Sequence, residues 1–246
     1  MHGNDTTLST GRQPGRPIDA ATLAALEACV SRDRLAPYRL SPADLPEDIV
    51  ARYLWNAALC EALYPSLHHA EVALRNTLFA AVCAWHGRED WVAGGPAPFL
   101  HVPERNAIRD LATSRARMRQ PVDPPHMVAA LHLGFWTGLL DVRYERTQTL
   151  WPRLLKAAFP GMPRRLRTRA NAGGRFDAVR RLRNRVFHQE PVWNVPDLAA
   201  KHASVVEALG WVSPPVRDLA AATDRFAAVH GAGPEGVLTR LRGAAP

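Results

Sequence analysis

Cysteine is scarce in this chain. The three it has, Cys29, Cys60 and Cys83, are odd in number, widely spaced and form no C-x-x-C pair. A disulfide framework and a cysteine-based zinc site are thereby excluded, a reducing compartment fits, and all three are expected in a helical core. Lysine is scarcer still: of 31 basic residues, two, Lys156 and Lys201, are lysines, so 29 are arginines. A GC-rich coding sequence accounts for that bias. No apolar run reaches the roughly 18 residues that a membrane span needs, and the polar N-terminus has no signal-peptide core. A cytoplasmic protein without a membrane partner is expected. No glycine loop with a phosphate-binding lysine, no G-x-S-x-G and no H-E-x-x-H occurs. His68, His69 and Glu71 are the nearest thing to a metal set, and His126 and His132, six apart, share no helix face. Neither a metal nor another cofactor is expected.

What is present is a chain of 246 residues, 47% hydrophobic, enough for a sizeable core. The formal net charge of +8 attracts phosphate-bearing polymers. Apolar residues recur at three-to-four spacing throughout and no convincing strand appears, so the fold class is all-α.

Residues 1–16 lack periodicity and read as a disordered tail. A first helix is expected over 18–31, with Leu23, Leu26 and Val30 inward. Ser41-Pro42 reads as a capped helix start. From about Asp48 to about Trp85 the chain reads as helix, with Tyr53, Leu54, Ala58, Leu63, Leu67, Leu74, Leu78 and Val82 inward and a kink at Pro65. Glu71 and Arg75, four apart, are expected to pair on one face, in a supporting role. Pro103 opens a helix to about Arg119, with Ile108 and Leu111 inward. Its outer arginines, among them Arg105, Arg109 and Arg115, form either a solvated face or a phosphate-tracking surface. Residues 126–140 are strongly apolar, and Gly134 predicts close packing or a helix break. An amphipathic run occupies 149–159. Residues 171–174, Asn-Ala-Gly-Gly, read as a turn. Helices are expected over 196–210 and from Pro214 to His230, the latter with Val216, Leu219, Phe226 and Val229 inward. Residues 231–246 read as a loose tail. No internal linker appears, so 17–230 is expected to be a single domain.

The stretch from Val179 to Asn194 organises the rest. Phe176, Val179, Leu182 and Val186 recur at helical spacing, and Pro191 stops the helix near Gln189. Asn184 and His188 then share a face, with Arg183 about 100° round the helix. An arginine separated from a histidine by four residues is weak evidence by itself; the chain has a second such pair, Arg225 and His230, in an ordinary amphipathic helix. Leu74-Arg75-Asn76 echoes Leu182-Arg183-Asn184 without a matching histidine.

The context carries more. Leu182-Arg183-Asn184 through His188, with Glu190-Pro191 and Trp193-Asn194, resembles the signature of the Abi-like (abortive infection) family within the HEPN superfamily. Tyr53-x-x-Asn56 with Glu71-Val72-Ala73-Leu74-Arg75-Asn76 resembles its N-terminal helix, and Leu133-Gly134-Phe135-Trp136 its central helix. Order and spacing match over roughly residues 40–210. Gln189 departs from the pattern, since many members carry a second histidine there. The resemblance implies a HEPN-like helical bundle with extra helices and metal-independent endoribonuclease activity in a homodimer. It also implies a role in phage defence or as a toxin with an antitoxin partner, protein or RNA. Glu71, Arg75, Asn76, Glu190 and Trp193 would be supporting residues.

The residue types fit that chemistry. RNA is cut when its 2′-hydroxyl attacks the adjacent phosphorus, leaving a 2′,3′-cyclic phosphate. The step needs proton transfer near neutrality, which a histidine supplies, and positive charge on the phosphate, which a guanidinium supplies in a fixed fork. His188 is expected as general base or acid, Arg183 as phosphate clamp and Asn184 as orienting group. Arg105, Arg109, Arg115, Arg180 and Arg185 are candidate RNA-phosphate contacts. Three readings compete with this one. In the first, Arg183 and Asn184 tie helices together and His188 caps a helix C-terminus. In the second, a catalytically silent module of the same type binds RNA or a protein. In the third, the chain is a plain scaffold or the partner of a toxin. Trp193 is expected as a packing anchor, with base stacking as its other reading.

Overall fold

The computed structural model describes residues 18–243. Among them the chain is all-α and forms no strand. In chain order the helices are α1 (Ala20–Val30), α2 (Arg32–Leu35), α3 (Pro46–His86), α4 (Val102–Arg117), α5 (Pro124–Ala130), α6 (Leu133–Gly138), α7 (Arg143–Arg146), α8 (Leu155–Ala158), α9 (Arg169–Phe187), α10 (Leu198–Val212), α11 (Pro214–Ala222) and α12 (Phe226–Leu241). No helix among the described residues is long and apolar enough to cross a membrane. The tail expected over residues 1–16 lies outside the described residues.

The described residues group into two compact units. One unit holds residues 18–59 and 228–243, the other Cys60–Ala227. The first boundary falls inside α3, where no proline, glycine or polar run marks it in the sequence.

In the first unit, α1 is capped by Asp19, whose carboxylate accepts from the Thr22 amide at 2.8 Å. Ser41-Pro42 does not open a helix. α3 starts at Pro46, and Asp48 reaches back to the Leu45 amide at 3.1 Å, one half of a capping box. Asp44 instead takes Arg52 at 2.6 Å, and that hydrogen bond holds its carboxyl down at about 2. The expected loose tail is helical as far as Leu241. Gly233 breaks α12 at φ 61°, ψ −171°, a conformation essentially confined to glycine. Pro234 then re-enters the helix, and Val237, Leu238 and Leu241 pack on Ala51, Leu54 and Trp55. Cys29, expected in the core, is exposed, and Cys60 and Cys83 of the second unit are half-buried.

In the second unit α3 lays down Leu63, Leu67, Ala70, Leu74, Leu78 and Val82 as one buried stripe, and the helix is continuous through Pro65. The apolar segment over 126–140 splits into α5 and α6 at Leu131 and His132, not at Gly134. His132 caps α6 by accepting the Phe135 amide on Nδ1 at 3.1 Å. A Cβ on Gly134 would come within 2.9 Å of that nitrogen, so the glycine makes room for the cap. Phe135 and Trp136 close an aromatic nucleus with Trp91 and Phe99. Of the run over 149–159 only Leu155–Ala158 is helical. The helix expected from Pro214 to His230 is interrupted at 223–225, between α11 and α12, and Leu219 is 69% exposed rather than inward.

α9 starts at Arg169, ahead of the segment expected to be a turn. Thr168 caps it through the Asn171 amide at 3.1 Å, so residues 171–174 are helix, not turn. Gly173 eases the approach there, because a Cβ would stand 3.1 Å from the Leu140 carbonyl, a tight contact. Ala172, Phe176, Val179, Leu182 and Val186 form the buried stripe, as the spacing predicts.

Candidate active site

α9 ends at Phe187, and the next few residues fix its last turn. His188 is the capping residue, and Gln189 sits in the left-handed region at φ 53°. The Glu190 amide donates to the Arg185 carbonyl at 2.9 Å and the Gln189 amide to the Val186 carbonyl at 3.2 Å. This is the Schellman pattern, with Gln189 where glycine is usual. Arg185 locks the exit by donating to the Pro191 carbonyl at 2.6 Å, and its Nε lies 3.7 Å from Glu190. Trp193 beyond it is half-buried.

The last turns of α9 separate Arg183 from its neighbours. Arg183 faces α3, where its Nε donates to Glu71 Oε2 at 3.0 Å. The Arg183 and Glu71 side chains are 25% and 17% exposed, so the pair is largely shielded from water. The guanidinium carbon lies 4.0 Å from the centre of the Phe187 ring. The Tyr64 ring stands 5.6 Å from Phe187, and His68 stacks on Tyr64 at 5.7 Å. One row therefore runs Glu71, Arg183, Phe187, Tyr64, His68, supplied by two helices. His188 and Asn184 lie outside it. The imidazole is exposed and makes no hydrogen bond to any described residue. The Asn184 amide is half-buried and likewise uncommitted, so it does not hydrogen bond to His188; only its backbone carbonyl meets the His188 amide, at 2.9 Å.

The expected pairing of Glu71 with Arg75 does not form. Glu71 takes Arg183, and Arg75 donates to the Ala129 carbonyl at 3.0 Å, tying α3 to α5. A helix-surface pair of charges is worth only a few tenths of a kcal/mol, which a less exposed partner outweighs. Asn76 is exposed and makes no side-chain hydrogen bond to a described residue.

The five other arginines are held locally. On α4, Arg105 donates to the Leu100 carbonyl, Arg115 to the Pro121 carbonyl at 2.7 Å, and Arg109 lies 3.4 Å from Asp110. None of these bonds reaches α3 or α9. On α9, Arg180 meets Asp177 at 2.6 Å and shares it with Arg181, while Arg185 is engaged in the exit turn. Of the expected site, the fold brings together Arg183 and Glu71, with Asn184 and His188 alongside on α9. It leaves the α4 arginines on their own helix.

Sequence reasoning passed over Tyr64 and Phe187 and weighed His68 only as a metal ligand. A signal was there: Tyr64, His68, Glu71 and Arg75 recur at i, i+4, i+7 and i+11, one face of a helix. It also passed over buried Glu104, which accepts from Tyr144 at 2.8 Å and pairs with Arg143. Burial and that carboxylate push the Tyr144 phenol well above its usual range, so it donates and stays neutral. Among the described residues no three His, Cys, Asp or Glu side chains cluster as a metal set. No protein-family model, no curated protein and no solved structure matches the chain.

Proposed function

We propose that this chain is a metal-independent endoribonuclease of the HEPN type, an Abi-like protein acting in phage defence or as a toxin. The observation that carries the reading is the last turn of α9. An exposed imidazole, His188, stands one turn from an uncommitted amide, Asn184, on the helix that also carries Arg183, a guanidinium that Glu71 holds by one edge only. In the proposed reaction the 2′-oxygen bonds to phosphorus as the bond from phosphorus to the 5′-oxygen breaks. One proton leaves the 2′-hydroxyl and another reaches the departing 5′-oxygen. His188 takes or gives one of them, the free edge of Arg183 binds the crowded phosphate, and Asn184 orients it. A two-fold homodimer would bring a second histidine and arginine to the same cleft. An antitoxin, protein or RNA, would restrain the activity in the cytoplasm.

One observation favours a second reading, a catalytically silent module that binds RNA or a protein. No group among the described residues hydrogen bonds to the His188 ring to hold one tautomer, as a third group does in many acid–base sites. Cleavage of mixed RNA in EDTA separates the two. The ribonuclease reading expects cyclic phosphate ends from the wild type and none from Arg183→Ala or His188→Ala. Absent cleavage, or cleavage equal in all three, refutes it in favour of the binding module.

A further inference from the structure

A cavity of about 580 Å³ opens beside the end of α9. Its lining includes Cys60, Glu61, Tyr64 and Pro65 from α3, Phe187 from α9, and Arg225. The volume falls in the range of small-ligand sites. Burial pushes the Cys60 thiol up to about 11, so it is a neutral wall. The two rings are unusually open for their size: Tyr64 is 47% and Phe187 36% exposed. They stand 5.6 Å apart, tilted by 30° to one another, and His68 stacks on Tyr64. Exposed rings beside a cation form a surface for a flat, electron-rich partner.

We infer that this cavity is a subsite for one unpaired nucleobase of single-stranded RNA, stacked on Tyr64 and Phe187.

Three features of the wall select a nucleobase over an aliphatic side chain. Arg225 meets Glu61 at 3.5 Å, with both side chains about two-thirds exposed, a pair weak enough for a phosphate to replace. Pro65 carries no N–H, so the Glu61 carbonyl lacks its i+4 helical donor, and a base amino group can supply one. Phe187 is also the ring against which Arg183 rests, at 4.0 Å. A base on Phe187 therefore brings the adjoining backbone phosphate toward the guanidinium, and the site selects unpaired RNA because a base inside a duplex has no free face to stack. The inference rests on the ribonuclease reading for its substrate class, but its test does not depend on cleavage.

The probe is an RNA octamer with one internal 2-aminopurine, bound to the His188→Ala chain so that nothing is cut. Expected are quenching of the aminopurine on binding and weak binding of the same octamer as a blunt duplex. Adding Tyr64→Ala should weaken binding about tenfold and abolish the quench, while Tyr64→Phe keeps both. Tyr64 is chosen because it is exposed and makes no hydrogen bond to Arg183; circular dichroism checks that each variant is folded. An octamer with an abasic position in place of aminopurine should bind as weakly as the intact octamer binds Tyr64→Ala. Binding without quench, equal binding of duplex, no binding, or an unchanged Tyr64→Ala variant overturns the subsite. Wild-type cleavage in EDTA is scored apart. Quench without cleavage refutes the ribonuclease and leaves an RNA-binding surface; cleavage without quench does the reverse.

Discussion

Removing Glu71 and Arg183 singly and together tests the contact on which the site depends. The two groups meet at 3.0 Å with side chains 17% and 25% exposed. Unit charges about 4 Å apart attract by about 4 kcal/mol at an effective dielectric of 20. Desolvating both and fixing two long side chains returns more than half of that, leaving a coupling of about 1–2 kcal/mol. Arg183→Met should cost about 2–3 kcal/mol, because it strands a shielded carboxylate and loses the contact with Phe187. Glu71→Gln should cost about 1–2 kcal/mol, and the double variant less than the two together by the coupling. The Phe187 contact is lost in both arms of the cycle and cancels. Urea unfolding followed by tryptophan fluorescence reads it, since Trp91, Trp136 and Trp151 are buried in the Cys60–Ala227 unit. Raising salt from 0.1 to 1 M should leave at least half of the coupling, as it would not for an exposed pair. A coupling below about 0.3 kcal/mol at low salt refutes the account of how Arg183 is held. Activity offers an independent check. An anchored guanidinium predicts weaker RNA cleavage in Glu71→Gln; faster cleavage would mean that Glu71 masks the charge instead of aiming it.

His188→Ala should leave stability within about 0.5 kcal/mol, because the exposed ring has no hydrogen-bond partner to lose, while RNA cleavage falls at least 100-fold. A loss of stability above about 1 kcal/mol with cleavage intact would make the residue a helix cap and no more. Gln189→Gly should raise the thermal midpoint, adding about 1 kcal/mol by relieving a side chain at φ 53°, whereas a lowered midpoint would contradict the Schellman reading. Burial holds the His202 imidazole below its usual value, against the opposing pull of Asp224, whose carboxylate lies 3.1 Å away. The unfolded chain therefore binds the proton first. Its share of stability is present above the unfolded value of about 6.5 and is lost as pH falls toward the lower folded value. His202→Gln should flatten the decline in stability between pH 7 and 5, and an identical slope would refute that assignment.

The helical class and the buried stripe of α9 follow from local spacing, and both were legible in the sequence. Where reading failed, a distant partner decided. Residues 171–174 have turn composition, yet they are helix because Thr168 caps the segment and Gly173 lets it approach the Leu140 carbonyl. Residues 231–241 look broken by glycine and proline, yet Val237, Leu238 and Leu241 find Ala51, Leu54 and Trp55 far earlier in the chain. The site shows the same limit. Glu71 has two arginines to choose from, and a rule of helix spacing finds only Arg75. The echo between Leu74-Arg75-Asn76 and Leu182-Arg183-Asn184 then acquires a physical meaning. Both arginines project from helices with an asparagine beside them, but Arg75 is committed to the carbonyl of Ala129. Arg183 meets a carboxylate through one edge and an exposed ring through its face. A carbonyl contact ties two helices together, whereas a carboxylate held on one edge aims a guanidinium and leaves its other edge for an anion. What separates the candidate motif from its echo is therefore contributed by α3, more than a hundred positions away, and scanning the C-terminal half for a better pattern would not reveal it.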